Sequence, residues 1–194
     1  MNTITIERLI ESSKDFTIER ESDHISYHEF IKYFSDVKEI TKHNLIIGIN
    51  FTYAWMPTIL KLRNKQFEEN VEILNRVKRG EPIKISDFQS LKSLFNNSLV
   101  GTSKLLHFIA PEQYPIWDSR VFRYIYKKDA NHNSINRVEN YLQYKKECHI
   151  LANNEAFEPV YSIMKSKIDS NITRLRAIEL ICFSKGKRAI NNSL

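Results

Sequence analysis

Along most of this chain apolar residues recur at intervals of three and four. No window alternates apolar and polar positions with the two-residue period of a half-buried strand. Phe30, Ile31, Phe34 and Val37 keep helical spacing over residues 26–37. Residues 41–62 are apolar on several sides, through Leu45, Ile46, Ile49, Phe51, Trp55 and Ile59, which predicts a central buried helix, interrupted at Pro57. Phe67, Val71, Leu74 and Val77 predict an amphipathic helix over 64–79 that ends at Gly80. Ser86 reads as the cap of a helix running to Phe95. A turn at 96–101, a short helix over 102–110 and a two-proline loop over 111–117 follow, and Asp118 opens a helix reaching Lys127. Three more helices are expected, over about 135–152, 156–170 and 173–183. Residues 12–26 read as a polar linker or edge loop, 128–134 as a polar linker, and 184–194 as a frayed basic tail. The predicted class is all-α: one domain over residues 1–194, built as a two-lobed helical bundle.

Composition narrows this picture. Four glycines and five prolines in 194 residues are too few for the turns of an all-β fold. Lys and Arg number 29 against 23 Asp and Glu, a net charge of +6 that permits binding to nucleic acid by counterion release without requiring it. The first residues, MNTITIERLIESSKD, lack the basic start and apolar run of a signal peptide. No stretch reaches the roughly 18 to 20 apolar residues that span a bilayer. A cytoplasmic protein with no membrane partner is expected. Cys148 and Cys182 stand outside any CxxC pair, which points to reduced thiols near the core and not to zinc or an iron–sulfur cluster. His24 and His28 are four apart, but no third ligand is near them in sequence, so neither a metal nor a cofactor is called for. Ser184–Arg188 is too short for a phosphate-binding loop.

The informative stretch is residues 97–126, NSLVGTSKLLHFIAPEQYPIWDSRVFRYIY. Read physically, Gly101 offers a tight turn with positive φ, and the amides of Thr102 and Ser103 open a helix N-terminus suited to a phosphate. Leu105, Leu106 and Ile109 share one face of the short helix. Ser103, Lys104 and His107 fall on the other, which predicts that they point outward beside the turn. After Asp118, Val121, Phe122 and Ile125 make an apolar side, and Arg120, Arg123 and Lys127 a basic stripe. An aspartate ahead of Ser-Arg-Val is also a good helix cap, and the two readings of Asp118 are compatible.

In order and spacing this stretch resembles the HhH-GPD superfamily of DNA glycosylases, and within it the 8-oxoguanine-glycosylase-like folds. Leu99-Val100-Gly101-Thr102-Ser103 falls on the hairpin G-V-G-x-K, and Pro115-Ile116-Trp117-Asp118 on the downstream P-x-x-D. Leu99 replaces the first glycine, and Ser103 stands where bifunctional members carry a lysine, with Lys104 one residue later. The resemblance implies a helix–hairpin–helix over about 86–110, an aspartate-bearing helix over 118–127, and a DNA partner. It implies catalysis by Asp118, with Lys104 as a further catalytic or phosphate-contacting group. DNA contacts would come from Val100, Gly101, Thr102, Ser103, His107, Arg120 and Arg123. Trp117, Trp55 and Phe51, with Tyr53 and Tyr114, are the candidate walls of a base pocket, or else core. The activity implied is monofunctional removal of a damaged or modified base, including a hypermodified phage base and hence a defence role. Two other readings stay open: a non-catalytic DNA-binding or adaptor module on the same fold, and a helical protein-interaction domain.

Overall fold

The structure, a computed structural model, describes residues 4–18, 21–56, 59 and 66–187. Among these residues all regular structure is helical, as the sequence periodicity requires. Two groups of helices share one continuous hydrophobic core. The first group is α2 (Glu21–Asp36), α3 (Lys42–Ala54), α4 (Phe67–Lys78), α5 (Ile85–Leu94) and α6 (Leu99–Ile109), with α6 packed against all four others. The second is α1 (Ile6–Lys14), α7 (Ser119–Tyr126), α8 (His132–Ile135), α9 (Val138–Ala152), α10 (Glu158–Lys167) and α11 (Arg174–Lys185), with a 3-10 turn at Glu155–Phe157. Here α11 is the hub, touching α1, α7, α9 and α10.

Ser86 lies inside α5, whose cap is Lys84, α8 begins inside the expected 128–134 linker, and three larger expectations change. Residues 12–26 are not a linker: α1 ends at Lys14 and α2 begins at Glu21. Thr5 caps α1, its hydroxyl accepting from the Arg8 amide, and the Arg8 guanidinium lies 3.7 Å over the Tyr124 ring and donates to the Tyr124 carbonyl. The N-terminal helix is thereby tied to the second group, across more than a hundred residues of chain. The fully enclosed helix is α6, in which Leu99 and every residue from Gly101 to Ile109 is buried. By contrast α3, expected to be central, leaves Ile46 and Phe51 half-exposed. Pro57 lies outside the described residues, as do residues 188–194 of the expected tail, but Ser184 and Lys185 belong to α11.

The third change concerns the turn before α6. The left-handed residues are Asn96 (φ +53°) and Asn97 (φ +61°), and asparagine tolerates this region. Ser98 caps α6, so Gly101 is already helical: its amide donates to Ser98 Oγ at 3.3 Å, and that of Thr102 to the Ser98 carbonyl at 3.2 Å. A Cβ at Gly101 would lie 2.6 Å from the Phe95 ring. Glycine is required there for close packing, not for a turn, and these amides are not open for a phosphate.

Candidate active site between the two groups of helices

Asp118 is placed by a loop whose anchors are all buried. The Trp117 side chain is fully buried, and its indole N–H donates to the Ile135 carbonyl at 2.9 Å. The Trp117 backbone N–H donates to Ser103 Oγ at 3.0 Å, so Ser103 clamps α6 to the start of α7. One turn further along α6, His107 Nδ1 lies 2.7 Å from the Tyr114 carbonyl, and Nε2 lies 2.8 Å from the Tyr27 hydroxyl. A carbonyl only accepts, so Nδ1 carries the proton and Nε2 accepts from Tyr27. Burial, with the charge of Arg176 adding to it, pushes the His107 ring down to about 3, so it is neutral. The loop thus delivers Asp118 in an extended conformation at the head of α7. Its Oδ1 accepts from the amides of Arg120 (2.7 Å) and Val121 (3.0 Å). The cap read from the sequence is present, and the same carboxylate lines a cavity.

That cavity, of about 500 Å³, opens between the two groups of helices. Its apolar walls include Phe16, Trp55, Met56, Ile116, Leu180 and Phe183. Five charged residues also face it: Lys104, Asp118, Arg120, Arg176 and Glu179. Each cation is held on a partner. Lys104 Nζ donates to the Trp55 carbonyl at 2.7 Å. The Arg120 guanidinium lies 4.3 Å over the Phe183 ring. Arg176 pairs with Glu179 one turn along α11, and its guanidinium also lies 4.6 Å over Tyr27 and 5.7 Å over Trp55. Glu179 is only 2% exposed. Burial pushes its carboxyl up to about 7. Arg176 opposes that rise most strongly, the charge of Asp118 adds to it, and Lys104 opposes it.

Of the residues singled out in the sequence, Asp118, Lys104, Val100, Arg120 and Trp55 meet at this cavity. Others do not. Trp117 is core, packed against Phe122 and Tyr144. Phe51 stacks on Phe30 at 4.6 Å, away from the cavity. Tyr53 and Tyr114 are buried, Tyr53 against Phe95. Thr102, Ser103 and His107 do not point outward. They are buried and bonded internally, Thr102 Oγ1 to the Ser98 carbonyl, so they present no donors to a DNA backbone. Arg123 Nε donates to the Gly186 carbonyl at 2.8 Å, which breaks the expected basic stripe. The sequence reading missed Arg176 and Glu179. The available signal was two opposite charges three apart in the otherwise apolar run over residues 175–183, an arrangement that survives burial only when paired.

Cys148 and Cys182 are free and buried. His28 pairs with Asp169 at 3.0 Å, and the His24 side chain lies outside the described residues. Among the described residues no three His, Cys, Asp or Glu side chains gather as metal ligands, and no helix is long and apolar enough to cross a membrane. In comparisons with known proteins, no family model, no curated protein and no solved structure matches the chain.

Proposed function

We propose that this protein is a monofunctional DNA glycosylase that removes a modified base through Asp118. The observation that carries the reading is the position of Asp118: a carboxylate held by two backbone amides at the edge of a cavity walled by aromatic rings and cations. An enzyme acting on a base in DNA takes the nucleotide out of the stack and into such a pocket. The C1′–N bond then breaks, its electron pair leaving on the base. The Asp118 carboxylate faces the positive sugar so formed. Water adds to C1′ as its proton passes to Asp118, which leaves an abasic site. Oδ1 is committed to the head of α7, so Oδ2 is the oxygen that serves these steps. Lys104, fixed on the Trp55 carbonyl, faces the same cavity, favours the charged form of Glu179 and is not arranged as a Schiff-base nucleophile.

The size of the cavity bears on the substrate. Pockets of about 300–1,000 Å³ take drug-sized ligands, and this one lies within that range. The space has room for a base carrying a bulky substituent, such as those of hypermodified phage DNA. The test is alkaline cleavage of modified and unmodified DNA after incubation with the protein. Strand breaks at modified bases only, lost in Asp118→Asn, are expected. Intact strands throughout would end the enzymatic reading. Ser103, buried at the position where the resemblance places a catalytic lysine, favours a second reading, a non-catalytic DNA-binding module. It predicts DNA affinity that Asp118→Asn leaves unchanged and no base release from any DNA.

A further inference from the structure

The geometry points to Glu179 as the general acid of this site, the group that hands a proton to the base as it leaves. The inference rests on the glycosylase reading above. Breaking a glycosidic bond sets two tasks: stabilising the sugar and neutralising the departing base. Two carboxyl groups face one cavity here, in unlike surroundings. Asp118 is partly exposed at the head of α7 and accepts two backbone N–H bonds. Glu179 is buried on α11, with Arg176 as its bonded partner. Paired carboxyls whose environments separate them in this way divide into a charged stabiliser and a proton donor.

The groups around Glu179 are consistent with this division. Lys104 faces it from α6, Asp118 from the head of α7, Tyr27 from α2, Tyr144 and Cys148 from α9, and Arg176 and Cys182 from its own helix. Tyr27, Tyr144 and both thiols are held above their ordinary values by burial, so they remain neutral and leave two cations and one other carboxylate as the charges in play. Burial against that background lifts Glu179 to about 7, so a large share of the molecules hold its proton at neutral pH. In the step, the Glu179 proton moves to a nitrogen or oxygen of the base while the C1′–N electron pair moves onto that base. The resulting carboxylate is received by Arg176, itself held on the faces of Tyr27 and Trp55, and by Lys104. The proton of the attacking water goes to Asp118, and exchange with solvent restores both carboxyls. A buried ion pair is weak evidence of net stabilisation, and Arg176 and Glu179 pair within one helix. This one faces a cavity.

Two measurements test the assignment, one of them without any substrate. Carbon-13 NMR of glutamate-labelled protein, with Glu179 assigned by the signal that disappears in Glu179→Gln or, should that variant not fold, in Glu179→Asp, is expected to show a carboxyl titrating near pH 7. Titration near the ordinary value of about 4.3 overturns the proposal. In parallel, single-turnover base release from genomic DNA is followed from pH 5 to pH 9. The wild-type rate is expected to fall about tenfold per unit above neutrality. Glu179→Gln is expected to be slower by roughly 10²–10⁴ and flat with pH, with DNA binding retained and activity partly restored in Glu179→Asp. A Glu179→Gln enzyme with wild-type rate and profile overturns the acid role while leaving the glycosylase reading standing. No release by wild type from any DNA overturns both.

Discussion

Asp118 serves the fold and the proposed chemistry with one side chain, and the two can be separated. Asparagine caps a helix about as well as aspartate, so Asp118→Asn should leave stability within about 0.5 kcal/mol of wild type while slowing base release by about a hundredfold or more. Asp118→Ala should lose activity and also about 1 kcal/mol of stability; urea titration distinguishes the two variants. His107 and Glu179 make opposite demands on pH. The folded state keeps His107 neutral down to about 3, whereas the unfolded chain protonates it near 6.5, so its contribution to stability is lost as pH falls below 6.5. Glu179 keeps its proton in the folded state up to about 7, so its contribution is present below the ordinary glutamate range and is lost as pH rises toward 7. Between pH 7 and pH 5 the two slopes, each about 1.4 kcal/mol per unit, nearly cancel. Glu179→Gln should therefore uncover a loss of about 2 kcal/mol on acidification that wild type shows only weakly. Equal acid sensitivity in both proteins would contradict the burial argument for Glu179.

At the scale of elements, α6 and the loop to α7 decide where the site sits. Ser103→Ala leaves the buried Trp117 amide without its acceptor and should cost about 1–3 kcal/mol. Gly101→Ala drives a methyl against Phe95 and should cost a similar amount, about 1–3 kcal/mol; chemical denaturation reads both. These two residues also show what the sequence could and could not convey. The four helices between 67 and 126 and the cap at Asp118 were legible because periodic apolar positions and capping chemistry are local signals, although α5 starts before Ser86 and α6 before Thr102. The nine-residue α1 was missed because Ile6, Leu9 and Ile10, though at helical spacing, make a run too short to hold a helix alone, and its anchor on Tyr124 lies far along the chain. Ser103 and His107 were assigned to the outer face by counting angles on a helix. Counting cannot reveal that a helix is enclosed on all sides, and their polar atoms are satisfied by Trp117, Tyr27 and Tyr114. Asp118 and Lys104 were found because they stand in one short stretch. Arg176 and Glu179 reach the same cavity from a helix more than fifty residues later, a meeting that only the tertiary fold makes visible.

For the whole molecule, the arrangement is a cavity at the join of two helical groups, with α6 the hub of one and α11 of the other. On the proposed reading, the net charge of +6 would supply a general attraction to the DNA backbone. Binding should weaken steeply with added salt, with the logarithm of affinity linear in the logarithm of salt concentration. Affinity insensitive to salt would remove DNA as the partner. The cavity, not the net charge, carries the claim of chemistry. The most direct test is mass spectrometry of the bases released from a panel of genomic DNAs, unmodified and hypermodified, by wild type and by Asp118→Asn. The account predicts release of a single modified base by wild type and none by the variant. Equal yields from both proteins, or no base from any DNA while both still bind it, would contradict it.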